Sequence, residues 1–94
     1  MSIPPASSAA AGTLESNDIH VVISRSGPEG KTDISLESTV LKHFGPAILG
    51  VIESCLKSSG LTDVQVWATD KGALDCTIRA RMETAIQRYK ELAS

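Results

Sequence analysis

Two histidines, two cysteines and a scatter of carboxylates are the groups in this sequence that could act as ligands, nucleophiles or general bases. His20 and His43 have no acidic or thiol partner at metal-ligand spacing, so both read as surface or strand-edge residues. Cys55 with a histidine would make a nucleophile–base pair. It falls instead on the apolar face of a helical pattern, where a thiol is inert. Cys55 and Cys76 form neither a C-x-x-C pair nor a zinc pattern, and both read as buried thiols without a disulfide. Asp63, Asp70 and Asp75 cluster in sequence, and paired carboxylates can do acid–base work. Their surroundings favour turns and a helix N-terminus, where negative charge complements the helix dipole. Arg79, Arg81, Arg88 and Lys90 alternate with Glu83 and Glu91, as on a solvated helix face or a docking surface for an acidic partner. Gly27, Gly30 and Gly72 build no phosphate-binding loop. No catalytic set and no metal set emerges. What remains is Ser16, a hydroxyl just ahead of the first strand, which on residues alone reads as an ordinary turn serine.

The elements that must position these groups follow from hydrophobic periodicity. Residues 1–13 are rich in Ser, Ala and Pro and carry too little apolar bulk to fold alone, so they are expected to be a mobile tail ahead of a single domain at 14–94. Residues 18–24 alternate, with Ile19, Val21 and Ile23 on one face. Residues 26–30 carry turn signals, and 32–37 alternate again with Ile34 and Leu36 inward, so the two strands are expected to pair as a hairpin. Leu41, Phe44, Ile48, Val51, Ile52 and Cys55 recur at helical spacing, with Ser38 or Thr39 placed as N-cap and Gly60 as the C-terminal glycine. Pro46 either starts this helix at Gly45-Pro46, with residues 39–44 as a separate turn, or kinks it. Residues 64–69 form a third strand. Trp67 points away from its inward face, either exposed as an interface anchor or covered by the N-terminal segment. Residues 73–92 place Leu74, Ile78, Met82, Ala85, Tyr89 and Leu92 on one helical face. A fourth strand at about 73–81 followed by a shorter helix is the alternative. The expected fold is α+β, a two-layer sandwich in the order β-β-α-β-α, with a three-stranded sheet covered on one face by two helices.

Composition narrows the class of function. The chain has 94 residues, 41% hydrophobic and 21% charged, with a net charge of −2. An acidic balance argues against nucleic-acid binding, which needs a surplus of Lys and Arg against phosphate. No apolar run approaches the roughly 20 residues that cross a bilayer. Residues 1–11 lack the basic start and apolar stretch of a secretory signal. The expectation is a cytoplasmic domain with no nucleic-acid or membrane partner.

Two segments alter the weight given to Ser16. The run Gly12-Thr13-Leu14-Glu15-Ser16-Asn17-Asp18 resembles the amino-terminal motif of citrate lyase acyl carrier proteins, the gamma chain of that complex. The run Asp70-Lys71-Gly72-Ala73-Leu74-Asp75-Cys76, followed by Ile78-Arg79-Ala80-Arg81, resembles a second signature of the same family, and His43-Phe44-Gly45 fits its middle. The resemblance spans residues 11–90. It implies a non-catalytic carrier whose motif serine, here Ser16, bears a phosphoribosyl dephospho-coenzyme A group through a phosphodiester. It further implies a prosthetic-group transferase that attaches the group, and transferase (alpha) and lyase (beta) subunits that work on acetyl and citryl held at its thiol. Carriage for a related lyase, such as one acting on citramalate, and a small interaction domain without a covalent group are the competing expectations. Pro46 departs from the family pattern, which leads one to expect an ordinary helix former there.

Overall fold

The computed structural model describes residues 8–26, 31–38 and 41–93. They form β1 (Ser8–Gly12), β2 (Ile19–Arg25), β3 (Asp33–Ser38), α1 (Leu41–Ser59), β4 (Val64–Asp70) and α2 (Asp75–Ala93). The α+β class and the two helices follow the sequence pattern. The sheet differs from expectation in membership and in order: it has four strands, arranged β1-β2-β4-β3.

The fourth strand is not at 73–81, which is helical from Asp75 onward. It is β1, drawn from the segment expected to be a mobile tail. Ser8–Gly12 pairs antiparallel with β2 over five residues, from Ser8 against Ser24 to Gly12 against His20. Alanine and serine have little intrinsic strand preference, but the free edge of β2 supplies the hydrogen bonds and α2 covers the inward side chains. Ala9 and Ala11 are buried there, and their small size suits a helix packed directly above. The part of the expected tail at residues 1–7 lies outside the described residues.

The expected hairpin between β2 and β3 does not form. β4 lies between them, antiparallel to β2 and parallel to β3. β2 and β4 are the two most thoroughly buried strands, with Ile19, Val21, Ile23, Val64, Val66 and Ala68 almost wholly covered, and burial of that kind belongs at the centre of a sheet. Ile34 and Leu36 of β3 are only half-buried, as suits an edge strand. Parallel neighbours need a crossover, and α1 supplies it between β3 and β4. Of the turn expected at 26–30, residues 27–30 lie outside the described residues.

Both helices cover the face carrying Ile19, Val21, Ile23, Val64 and Val66. α1 contributes Ile48, Val51, Ile52, Cys55 and Leu56, and α2 contributes Ile78, Met82, Ala85 and Ile86. α1 begins before Pro46 and runs through it. The proline removes the bond its amide would donate to the carbonyl of Lys42, a loss confined to the second turn of a 19-residue helix. The Ser38 hydroxyl donates to Asp70. Thr39 lies outside the described residues. Gly60 ends α1 with φ of 77°, as expected of a C-terminal glycine. Phe44 departs from its expected inward position and is 57% exposed. Cys76 is exposed rather than buried, while Cys55 is buried, and both thiols are free. No helix among the described residues is long and apolar enough to cross a membrane.

Ile52→Ala, at a side chain with no exposed surface, is expected to destabilise the domain by about 2–5 kcal/mol in chemical denaturation. Removal of residues 1–12 separates the two readings of the N-terminal segment. Loss of β1 should lower the thermal midpoint sharply, whereas loss of a tail would leave it unchanged.

Candidate functional site

Ser16 sits at an exposed corner of the connection between β1 and β2. Glu15–Asp18 is a tight turn closed by the Asp18 amide donating to the Glu15 carbonyl at 3.2 Å. Ser16 is its second residue. Asn17 is its third, with φ of 66°, a position where turns of this kind require a left-handed residue and where asparagine is tolerated.

Asp18 holds the turn in place. Its Oδ2 accepts from the Thr13 hydroxyl at 2.6 Å and from Arg81 Nη2 at 2.9 Å, and its Oδ1 accepts from the Ile19 amide at 2.7 Å and Arg81 Nε at 3.0 Å. Two parallel bonds from one guanidinium fix both distance and angle. The Arg81 hydrogen bonds, aided by Thr13, hold the Asp18 carboxyl well below the usual carboxylate range, and the carboxylate in turn raises the Arg81 guanidinium. Gly12 allows this closeness. It has φ of 92°, and a Cβ there would lie 1.8 Å from the Ile19 carbonyl oxygen and 3.3 Å from Arg81 Cδ.

A second carboxylate organises the neighbouring connector at 71–74. Asp70 is buried; it accepts from the amides of Gly72 at 3.1 Å and Ala73 at 2.9 Å, and from the Ser38 hydroxyl at 2.8 Å. The two connectors are then joined through the backbone. The Asn17 amide donates to the Lys71 carbonyl at 2.8 Å, and the Lys71 amide to the Asp18 carbonyl at 2.9 Å. The two sequence motifs, far apart in the chain, therefore form one surface around Ser16.

This geometry corrects one expectation. Ser16 is exposed, but it does not stand at a loose junction between tail and sheet. Paired strands flank it, and an ion pair, a buried carboxylate and two backbone bonds brace it. Arg81 likewise leaves the solvated face assigned to it. Arg88 donates to the Ala10 carbonyl at 2.7 Å and Lys90 to the Ser59 carbonyl at 2.8 Å, so the basic residues of α2 tie it to β1 and α1. The other candidates stay apart from Ser16 chemistry. His20 is half-buried in β2, and the His43 side chain lies outside the described residues. Burial pushes the Cys55 thiol up, which disfavours the reactive thiolate. Asp63 and Asp75 occupy a turn and the first turn of α2, and among the described residues no three His, Cys, Asp or Glu side chains converge as a metal site. Trp67 is 37% exposed on the uncovered sheet face, and the described N-terminal residues enter the sheet beyond β2 instead of covering it.

The residues missed by sequence reasoning are Thr13, Asp18 and Arg81 as a unit. Their partners are up to 63 positions apart, beyond any local pattern. The signal available was the presence of Asp18 and Arg81 within the two motifs.

The family model described as malonate decarboxylase delta subunit, an acyl carrier family, matches residues 6–89. The chain is 52% identical over 84 residues to the citrate lyase acyl carrier protein of Streptococcus mutans, covering 89% of this chain and 81% of that one. It is 53% identical over 83 residues to the protein of the same name from Lactobacillus acidophilus, covering 88% and 84%. It belongs to the citrate lyase acyl carrier protein family. A member of this family is a non-catalytic carrier subunit. The more distant carrier from Albidiferax ferrireducens is 46% identical over 80 residues, covering 85% of this chain and 81% of its own. In fold, the chain matches a chain in the crystal structure of a Pseudomonas malonate decarboxylase hetero-tetramer with a TM-score of 0.72, covering 92% of this chain and 87% of that one, at 18% identity.

Two variants test the brace. Gly12→Ala is expected to cost at least about 1–3 kcal/mol from its left-handed backbone alone, with the clash at the Ile19 carbonyl added. Asp18→Asn tests the ion pair through pH. A carboxyl held low in the folded state stabilises it fully above the unfolded value near 4, and that contribution is lost as pH falls toward the folded value. The gap in thermal midpoint between wild type and Asp18→Asn should be constant between about pH 5 and 7 and should narrow steadily below about pH 4.

Proposed function

We propose that Ser16 is the attachment point of a phosphoribosyl dephospho-coenzyme A group, joined through a phosphodiester to its Oγ, and that the chain serves citrate lyase as its acyl carrier. The observation that carries this reading is the exposed corner position of Ser16 on a turn fixed by Asp18 and Arg81, within the sequence that matches the family's attachment motif. Forming a phosphodiester here requires displacement at phosphorus: the serine oxygen bonds to phosphorus, its proton passes to a base, and a leaving group departs. The chain supplies the hydroxyl. The base and the activated donor belong to a separate prosthetic-group transferase.

The residues present fit such a group. The hydroxyl is exposed, so a bulky substituent projects outward without displacing the core. The bound group supplies a terminal thiol, at which the transferase (alpha) and lyase (beta) subunits act on acetyl and citryl. Thr13, Asp18 and Arg81 keep the point of attachment at one place and angle, and the length of the arm provides the reach. Tethering then makes each transfer intramolecular, with a high effective concentration. The names of the relatives, at 46–53% identity, favour citrate over citramalate. Work within a multi-subunit complex agrees with the hetero-tetramer of the matching malonate decarboxylase. The setting proposed is the cytoplasm, where Cys55 and Cys76 remain reduced.

Intact-mass measurement and peptide mapping of the chain, isolated from its native host growing on citrate, should place one added group on the peptide containing Ser16. Ser16→Ala should show no added mass and should yield an assembled but inactive lyase. Lyase activity retained by Ser16→Ala would overturn the reading in favour of an interaction domain without a covalent group.

A further inference from the structure

Five large hydrophobic side chains are exposed among the described residues: Leu14, Phe44, Trp67, Leu74 and Leu92. Three of them gather at the end of the molecule that carries Ser16. Leu14, 59% exposed, lies on the Ser16 connection itself. Leu74, 70% exposed, ends the 71–74 connector that is hydrogen-bonded to that connection through Asn17, Lys71 and Asp18. Phe44, 57% exposed, shares with Leu74 a groove of about 390 Å³ that is also lined by Ala47, Ile48, Gly72, Ala73 and Asp75. Gly72 closes the path, because a Cβ on it would lie 3.7 Å from Asn17 Oδ1, one residue from Ser16. The remaining two are elsewhere: Trp67 is on the open sheet face, and Leu92 is about 25 Å along α2 from its first turn.

We propose that Leu14, Leu74 and Phe44 form the docking surface for the enzyme that attaches the prosthetic group to Ser16. The proposal rests on the reading of Ser16 as the attachment point. The rigidity of the turn selects this occupant. A flexible loop can be drawn out into a distant active site. The Ser16 turn cannot, because Asp18, Arg81 and the Lys71 backbone hold it against the body of the domain. A catalyst that must bring phosphorus within bonding distance of Ser16 Oγ therefore has to receive this whole end of the molecule, including the 71–74 connector. The lyase subunits differ, since they meet the carrier through the far end of a long arm and need not cover the turn. Clustered exposed apolar side chains mark interaction sites, and large ones at the centre of a contact carry most of its affinity.

The test is the rate at which purified, unloaded full-length chain is modified by the prosthetic-group transferase and its activated donor, followed by intact mass. Leu74→Ser and Leu14→Ser are each expected to lower kcat/KM about tenfold, mostly through KM, and together by more. Leu92→Ser is the control and should load like wild type. Circular dichroism should show every variant folded, since these side chains are already exposed. Binding of the transferase to Ser16→Ala with and without Leu74→Ser gives a second measurement independent of turnover, with about tenfold weaker affinity expected. Loading and binding unchanged in the Leu14 and Leu74 variants would overturn the proposal, and a loss confined to assembly with the lyase subunits would assign the surface to them instead. A wild-type chain that is not loaded on Ser16 at all would refute the attachment reading itself, which is a separate result.

Discussion

The bidentate pair between Asp18 and Arg81 is the constraint on which the functional end of this domain depends. It joins the β1–β2 turn to α2 across 63 positions of sequence. Arg81 is 40% exposed and Asp18 13% exposed, so solvent moderates the attraction, and the pair's main contribution is geometric. A lysine would supply the charge but not the two parallel bonds. The carboxylate also accepts from Thr13 and from the Ile19 amide, so each of its oxygens accepts one hydrogen bond from Arg81 and one from the β1–β2 connection. The turn is thereby fixed relative to the helix layer, not only to its own hairpin.

Under the proposed attachment at Ser16, that rigidity divides the work of a carrier between protein and prosthetic group. A mobile serine would enlarge the volume searched by the arm and dilute it at each active site. A fixed serine confines the search to what the arm alone explores, which keeps the effective concentration high. It also presents one invariant surface to any enzyme that has to reach the hydroxyl. Asp70 performs the equivalent task one connector away, and the two connectors share backbone bonds, so neither moves without the other.

The hydrophobic layer explains why the platform can be so small. β2 and β4 carry the aliphatic core, and β1 adds only alanine and glycine beneath α2. Small side chains let α2 approach β1 closely enough for Arg88 to reach the Ala10 carbonyl and for Arg81 to reach the turn. The composition that makes residues 8–12 look structureless is what permits the close packing that positions Ser16.

The sequence by itself determined the α+β class, both helices, the three β-branched strands and, through two motifs, the family. Each of these rests on local periodicity or on contiguous residues, which a linear reading captures. The tertiary structure decided the rest. β1 forms because β2 has a free edge, not because its alanines prefer strands. β4, like β2, takes a central place because its inward side chains are almost wholly covered there, while the half-buried β3 goes to the edge. Asp18 finds Arg81 only once α2 has packed. Such outcomes depend on contacts between distant residues, whose free energy exists only in the assembled fold, and no local pattern encodes them.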